Sequence, residues 1–242
     1  LCCDPSAAVR ARALHLLDGE PEDWRRTRLE GLGCDASPSI RAAARRLLDL
    51  DWAGRYRALV IAGEKLRASI SGLGECGSEE DFLLVEPYLA HARVKLRAAA
   101  LAATAALDSD SVEPFVHALA DDSKRVSRAA ARILQTRARN GLPEMLRQLA
   151  ERADVPEHGR VHALDAIGSL RFWPRLLWLL SAAESPRREF GNLAAARINA
   201  VTSERPTPAE LSAVDDNLEA SSLPPEQIAA IRRELAFWRQ PS

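Results

Sequence analysis

The 242-residue chain is poor in what builds sheets, cross-links a fold or draws in a polyanion. Aromatic residues make up only 5% of it, whereas sheets favour aromatic and β-branched side chains. Its abundant alanine suits helices packed closely through small side chains, so the expected fold class is all-α. Four cysteines, Cys2, Cys3, Cys34 and Cys76, form neither a CxxC pair nor a dense framework. They fit no zinc ribbon or disulfide scaffold and point to reduced thiols in a cytoplasm. No apolar run approaches the roughly 18 residues of a membrane span, and no signal peptide is visible, so no membrane partner is expected. Lysine is scarce: of 33 basic residues only Lys65, Lys95 and Lys124 are lysine, and the remainder is arginine, with its planar, bidentate chemistry. A formal charge of −1 and a pI of about 6.6 leave no global basic field, which argues against nucleic acid as the partner.

Motifs of catalysis are also missing. His15, His91, His117, His158 and His162 show no HExxH and no carboxylate pair at ligand spacing. Neither G-x-S-x-G nor a P-loop occurs. Gly72-Leu-Gly74-Glu-Cys-Gly77 spells GxGxxG, but a helical pattern precedes it where a dinucleotide site needs a strand, so it reads as a helix end and a turn. No catalytic, cofactor-binding or metal-ligating residue is named, and neither a cofactor nor an enzymatic activity is expected.

What the chain has is recurrence. The order Asp, five residues, Arg, a small residue, then apolar positions runs from Asp4 to Leu17, returns at Asp35 to Leu48 and Asp122 to Leu134, and recurs more weakly from Asp154. Aligned on Arg10, Arg41, Arg67, Arg97, Arg128 and Arg160, the intervals are 31, 26, 30, 31 and 32 residues, a period that marks stacked helix pairs. In the helix that carries each arginine, Val9, Ala13, Leu16 and Leu17, then Ile40, Ala44, Leu47 and Leu48, form one apolar stripe whose small residue admits a neighbouring helix. Gly19 and Gly74 are read as helix C-caps. The partner helices open at Pro21, Glu79, Val112, Leu142 and Phe172, with proline or acid in the first turn.

This places repeats at 1–19, 20–50, 51–77, 78–107, 108–139, 140–170 and 171–205, closed by a cap over 206–242 with helices from Pro208 to Leu218 and from Gln227 to Arg239. The first repeat holds only its second helix, which predicts that the natural chain extends further toward the N-terminus.

The recurring Asp-x5-Arg-x-x-Ala, with a leucine about three residues on, resembles the HEAT repeat of the short class named after phycobilisome lyases, over residues 4 to about 200. The resemblance implies an α-α superhelix, a single solenoid of about seven HEAT-like helix pairs. It also implies a ladder of Asp and Arg side chains running between repeats: Asp4 and Arg10, Asp35 and Arg41, Asp122 and Arg128, Asp154 and Arg160. Two rungs depart, with His91 standing before Arg97 and Ile61 before Arg67.

Arg12, Arg45, Arg46 and Arg132 lie off that ladder and are candidates for a surface that meets an acidic partner. Trp173 and Trp178, in a helix apolar nearly all round, are read either as core or as an exposed hot spot, and Trp238 likewise. The function expected is a non-catalytic scaffold for another protein or a peptide. Two alternatives stand beside it. One is bilin lyase-like or isomerase-like chromophore handling, which follows only from the repeat class. The other is a HEAT-like DNA alkyl-base glycosylase, for which Trp52 with Asp49 and Asp51 is the available cluster.

Overall fold

Proline or an acid stands in the first turn of many of the helices, as at Glu22, Pro38, Glu113 and Pro208. The computed structural model describes residues 1–107, 110–137, 141–167, 172–185, 188–198 and 205–239. Among these residues there are fifteen α-helices, three short 3-10 segments and no strand, and no helix is long and apolar enough to cross a membrane. The chain divides into two units, Leu1–Ser111 and Val112–Ser242, with the boundary inside the repeat drawn at 108–139.

The first unit holds α1 (Ala7–Leu14), α2 (Glu22–Leu32), α3 (Pro38–Leu47), α4 (Trp52–Ile61), α5 (Leu66–Cys76), α6 (Phe82–Val85) and α7 (Val94–Leu107). Successive helices pack as pairs, α2 on α3, α4 on α5 and α6 on α7, and the second members also touch, α1 on α3 and α5 on α7. Leu14, Leu29, Leu32, Ile40 and Ala44 form one core; Trp52, Tyr56, Val60, Ile70, Leu73, Val85 and Leu96 form another. Arg57 on α4 grips Asp81 with two hydrogen bonds, Nε to Oδ1 at 2.5 Å and Nη2 to Oδ2 at 3.0 Å. Asp81 Oδ2 also accepts from the Ser78 N–H at 2.9 Å, which closes a capping box ahead of α6.

The second unit holds α8 (Glu113–Leu119), α9 (Lys124–Gln135), α10 (Leu142–Glu151), α11 (Glu157–Ala166), α12 (Phe172–Ala183), α13 (Arg188–Ala195), α14 (Pro208–Glu219) and α15 (Pro225–Trp238). Pairing repeats here: α8 on α9, α10 on α11 and α12 on α13, with α9 on α11 and α12 on α14. Thr207 and Glu210 build a reciprocal capping box at the start of α14. The last core gathers Phe172, Trp173, Leu176, Leu180, Val214, Leu218, Ile231 and Leu235.

Of the expected stripes, Ala13, Leu17, Ile40 and Ala44 are buried, whereas Leu16 and Leu47 are exposed; beyond them Ala100, Ala130 and Ala163 are fully buried too. Gly74 departs from expectation. It does not end its helix, because α5 continues to Cys76. A Cβ there would stand 2.7 Å from the Ala103 Cα of α7, and one at Gly72 would stand 2.5 Å from the Tyr56 ring. The GxGxxG glycines thus serve close helix packing. Gly159 of α11 is under the same constraint, since its Cβ would run into the Leu119 carbonyl oxygen. Backbone yields less readily than a side-chain tip, so Gly159→Ala is expected to cost about 2 kcal/mol, measurable as a lowered urea midpoint at unchanged slope.

Candidate functional site

The recurring arginine is a buried anchor, and its register is set by burial. In α3 the buried residues Ile40, Arg41 and Ala44 have counterparts in Leu96, Arg97 and Ala100, and in Gly159, Arg160 and Ala163. By the same pattern the third and fifth recurrences place Ala68, Ser69 and Gly72, and Val126, Ser127 and Ala130. The arginine slot is therefore held by Ser69 and Ser127, while Arg67 and Arg128 are exposed on the neighbouring face. In three of the recurrences the arginine reaches back to the carbonyl six residues earlier: Arg10 Nη1 to Asp4 O at 2.7 Å, Arg41 Nη1 to Asp35 O at 2.6 Å, Arg97 Nη1 to His91 O at 2.9 Å.

It also reaches a carboxylate further along the chain. Arg10 donates from Nε and Nη2 to Asp35 at 2.6 and 2.8 Å, a bidentate pair. Arg41 pairs with Glu75 at the far end of α5, and Arg160 with Glu189 on α13. Burial alone would push the Asp35 carboxyl up, but Arg10 and the Ser37 N–H hold it below its ordinary value. Glu75 is likewise raised by burial and pulled further down by Arg41 and Arg45.

The acid that opens each recurrence has a local task as well. Asp4, Asp35 and Asp121 each accept, through Oδ1, the backbone N–H two residues on, from Ser6, Ser37 and Ser123 at 2.8, 2.8 and 2.7 Å. His91 Nδ1 does the same for the Arg93 N–H at 3.0 Å, so a histidine can stand in that position. The residue acting so in the fifth recurrence is Asp121, one before the expected Asp122, which is exposed. Asp154 is exposed and pairs with Arg152 at 2.6 Å, since Ser127 offers it no guanidinium. In the third recurrence, six residues before Ser69, stands Gly63, which has no side chain to accept anything.

The expected partner residues fall in both units. Arg12 and Arg46 are exposed in the first unit and Arg132 in the second. Arg45 is not free: Nη1 binds Glu75 Oε2 at 2.6 Å and lies 3.4 Å from the Tyr56 hydroxyl. Trp173 is fully buried, which corrects its reading as a hot spot: it packs edge-on to Phe172, ring centroids 5.3 Å apart, in the last core. Trp178 is half-buried. Trp52 is buried as well, its indole N–H bonded to Leu48 O at 3.1 Å, and Asp51 caps α4 through the Gly54 N–H at 2.9 Å.

A buried serine beside a histidine also occurs. Ser127 Oγ lies 2.8 Å from His162 Nδ1 and donates to Leu119 O at 2.9 Å. The hydroxyl proton is thereby committed to a carbonyl, and Oγ accepts from Nδ1–H, an arrangement that holds α9 to α11 and activates no nucleophile. Burial lowers the pKa of His162 and keeps the ring neutral.

The concave feature with a coherent chemistry lies in the first unit, where the N-terminal ends of α5 and α7 meet the loop before α3. This cleft of about 470 Å³ is lined by Arg41, Lys65, Arg67, Arg93 and Lys95, with Gly63 and Cys34, and by no acid. Lys65, Arg67, Arg93 and Lys95 are exposed and make no ion pair among the described residues. Two helix N-termini add their positive ends. Lys65 takes a left-handed conformation, φ 45°, the one non-glycine residue at positive φ among those described, which costs a side chain about 1 kcal/mol. A cleft walled by cations in a chain of net charge −1 is a local concentration of positive charge. Sequence reasoning missed it because its residues come from three segments some thirty positions apart. The signal was there in two of the three lysines and in Gly63 standing where an acid recurs.

Compared with known proteins, the chain matches no family model, no curated protein and no solved structure.

Proposed function

We propose that the chain is an α-solenoid of HEAT-like helix pairs that works without catalysis as a protein-binding scaffold and takes an acidic segment of its partner into the cationic cleft of the first unit. The solenoid reading is supported by pairing that recurs along the chain and by arginines that tie α1, α3 and α11 to carboxylates further along the chain. The observation that carries the function is the cleft itself: four exposed cations, two helix N-termini and no acid in its wall. The groups that could serve chemistry elsewhere, such as Ser127 with His162, are spent on packing.

The test is fluorescence anisotropy of a labelled aspartate- and glutamate-rich peptide beside a neutral peptide of equal length. The acidic peptide is expected to bind, with affinity falling as salt is raised. Arg93→Glu with Lys95→Glu should lower that affinity at least about tenfold, the loss of roughly one charge-assisted contact. Equal binding of the acidic and neutral peptides would remove the cleft as the partner site.

A further inference from the structure

The cleft holds more positive charge than a carboxylate can answer, and one of its backbone donors stands where an anion is already used elsewhere in the chain. We propose that it receives a phosphate monoester, carried by a phosphorylated residue of the acidic protein segment; this rests on the scaffold reading above and narrows it.

The first argument is internal. In four recurrences the backbone N–H two residues after the opening position is taken by a side chain, the carboxylates of Asp4, Asp35 and Asp121 or the ring of His91. In the third recurrence Gly63 has no side chain, and the Lys65 N–H has no acceptor among the described residues. No side chain caps α5, so the Leu66 and Arg67 N–H groups have no acceptor among the described residues either, while the Ala68 N–H is taken by the Lys65 carbonyl at 2.9 Å. Left-handed Lys65 followed by helical Leu66 turns successive N–H groups toward one point, the concave arrangement that binds an oxyanion. An anionic oxygen from a ligand completes what Gly63 omits.

The second argument is charge and shape. Lys65, Arg67, Arg93 and Lys95 line the same cleft without ion pairs among the described residues, and the nearest acid in sequence, Glu64, is exposed and outside the wall. A carboxylate brings one charge and two oxygens. A phosphate monoester brings nearly two charges and three acceptor oxygens, enough to engage backbone donors, a lysine and an arginine at once. A protein segment is favoured over nucleic acid because the cations are gathered in one cleft of about 470 Å³ in a chain of charge −1, where a polyanion needs a continuous basic track.

The experiment uses the whole chain, isotopically labelled, and follows backbone amide resonances. The probes are inorganic phosphate, an alanine-glycine heptapeptide with a central phosphoserine, the same peptide with glutamate or serine in its place, and an oligo-dT strand. The phosphoserine peptide is expected to bind about tenfold tighter than the glutamate peptide, to shift the Lys65, Leu66 and Arg67 amides, and to be displaced by inorganic phosphate. Lys65→Gly with Arg67→Ala, which keeps the left-handed turn, and Arg93→Ala with Lys95→Ala should each abolish that preference. Arg12→Ala with Arg132→Ala should leave it intact, and melting curves show that each variant is folded. Equal affinity for the phosphoserine and glutamate peptides would overturn the phosphate assignment and leave the acidic-segment reading standing. No binding of any peptide would overturn both. Shifts confined to amides outside the cleft would overturn its location, and tighter binding of oligo-dT than of the phosphopeptide would overturn the protein ligand.

Discussion

Replacing Trp173 by alanine is expected to destabilise the second unit by about 4 kcal/mol, the usual cost of emptying a large, fully enclosed aromatic site. The indole is wholly buried between Phe172 and the residues that α14 and α15 bring to the same core. Its removal exposes an apolar void which helices held by their caps cannot fill by small shifts. Urea unfolding followed by hydrogen exchange reads the effect unit by unit: protection in α12, α14 and α15 should collapse, and α4, α5 and α7 should be untouched. The pairing of effects also tests the hot-spot reading of this residue. A surface tryptophan would lose partner affinity on truncation and leave exchange in α14 and α15 as it was.

The second large effect belongs to Glu75. Its carboxylate joins two arginines, Arg41, only 4% exposed, and Arg45 at 2.6 Å. Glu75→Leu leaves the Arg41 charge enclosed with the Asp35 carbonyl as its remaining acceptor, and breaking a buried pair from one side costs about 3 kcal/mol. Arg41→Met together with Glu75→Leu should recover most of the loss, because removing both charges also removes their desolvation penalty.

Acid acts on the same interaction. The Glu75, Asp35 and Asp81 carboxyls are each raised by burial and held lower still by hydrogen bonds, Glu75 by Arg41 and Arg45, Asp35 by Arg10, Asp81 by Arg57. The unfolded chain therefore binds protons first, and the stability that these groups contribute is full above their ordinary values of 4.5 and 3.8 and is lost as pH falls through their folded ones. His162 has the opposite charge type and the same sign of dependence. Its lowered pKa means that the second unit weakens as pH drops below 6.5. Hydrogen exchange across an acid titration should show α9 and α11 loosening at milder acidity than α3 and α5. Simultaneous loosening near pH 6 would contradict the assignment.

Much of the architecture is legible in the residues, and the failures are instructive. Ile40 with Ala44 and Val126 with Ala130 announce a stripe and a close helix contact, because burial selects for an aliphatic residue and a small one at fixed spacing. Register slips where the anchor changes chemistry. Ala68, Ser69 and Gly72 carry the buried pattern of α5 in residues that elsewhere signal loops, so the exposed Arg67 attracts the alignment in their place. Arg128 misleads by one position for the same reason, as Ser127 bonds to Leu119 and His162 where an arginine would have reached a carboxylate. The helix of Trp173 is apolar nearly all round, which leaves core and surface equally open until α14 and α15 are seen to cover it. The cleft was the least legible part, since nothing in an isolated Arg93 or Lys95 tells that the two share a wall with Lys65 and Arg67.

Gly63 gives the cleft a different character from a site assembled by adding functional groups. In four other recurrences a side chain seals the turn that enters the second helix. At position 63 there is no such side chain, and the Lys65 N–H ahead of α5 has no acceptor among the described residues. On the proposed reading, the missing methylene and carboxylate are lent by another molecule, at a turn where the fold does not supply its own. Occupancy and local order should rise and fall together there, so the ligand acts on this segment as a removable part of the fold.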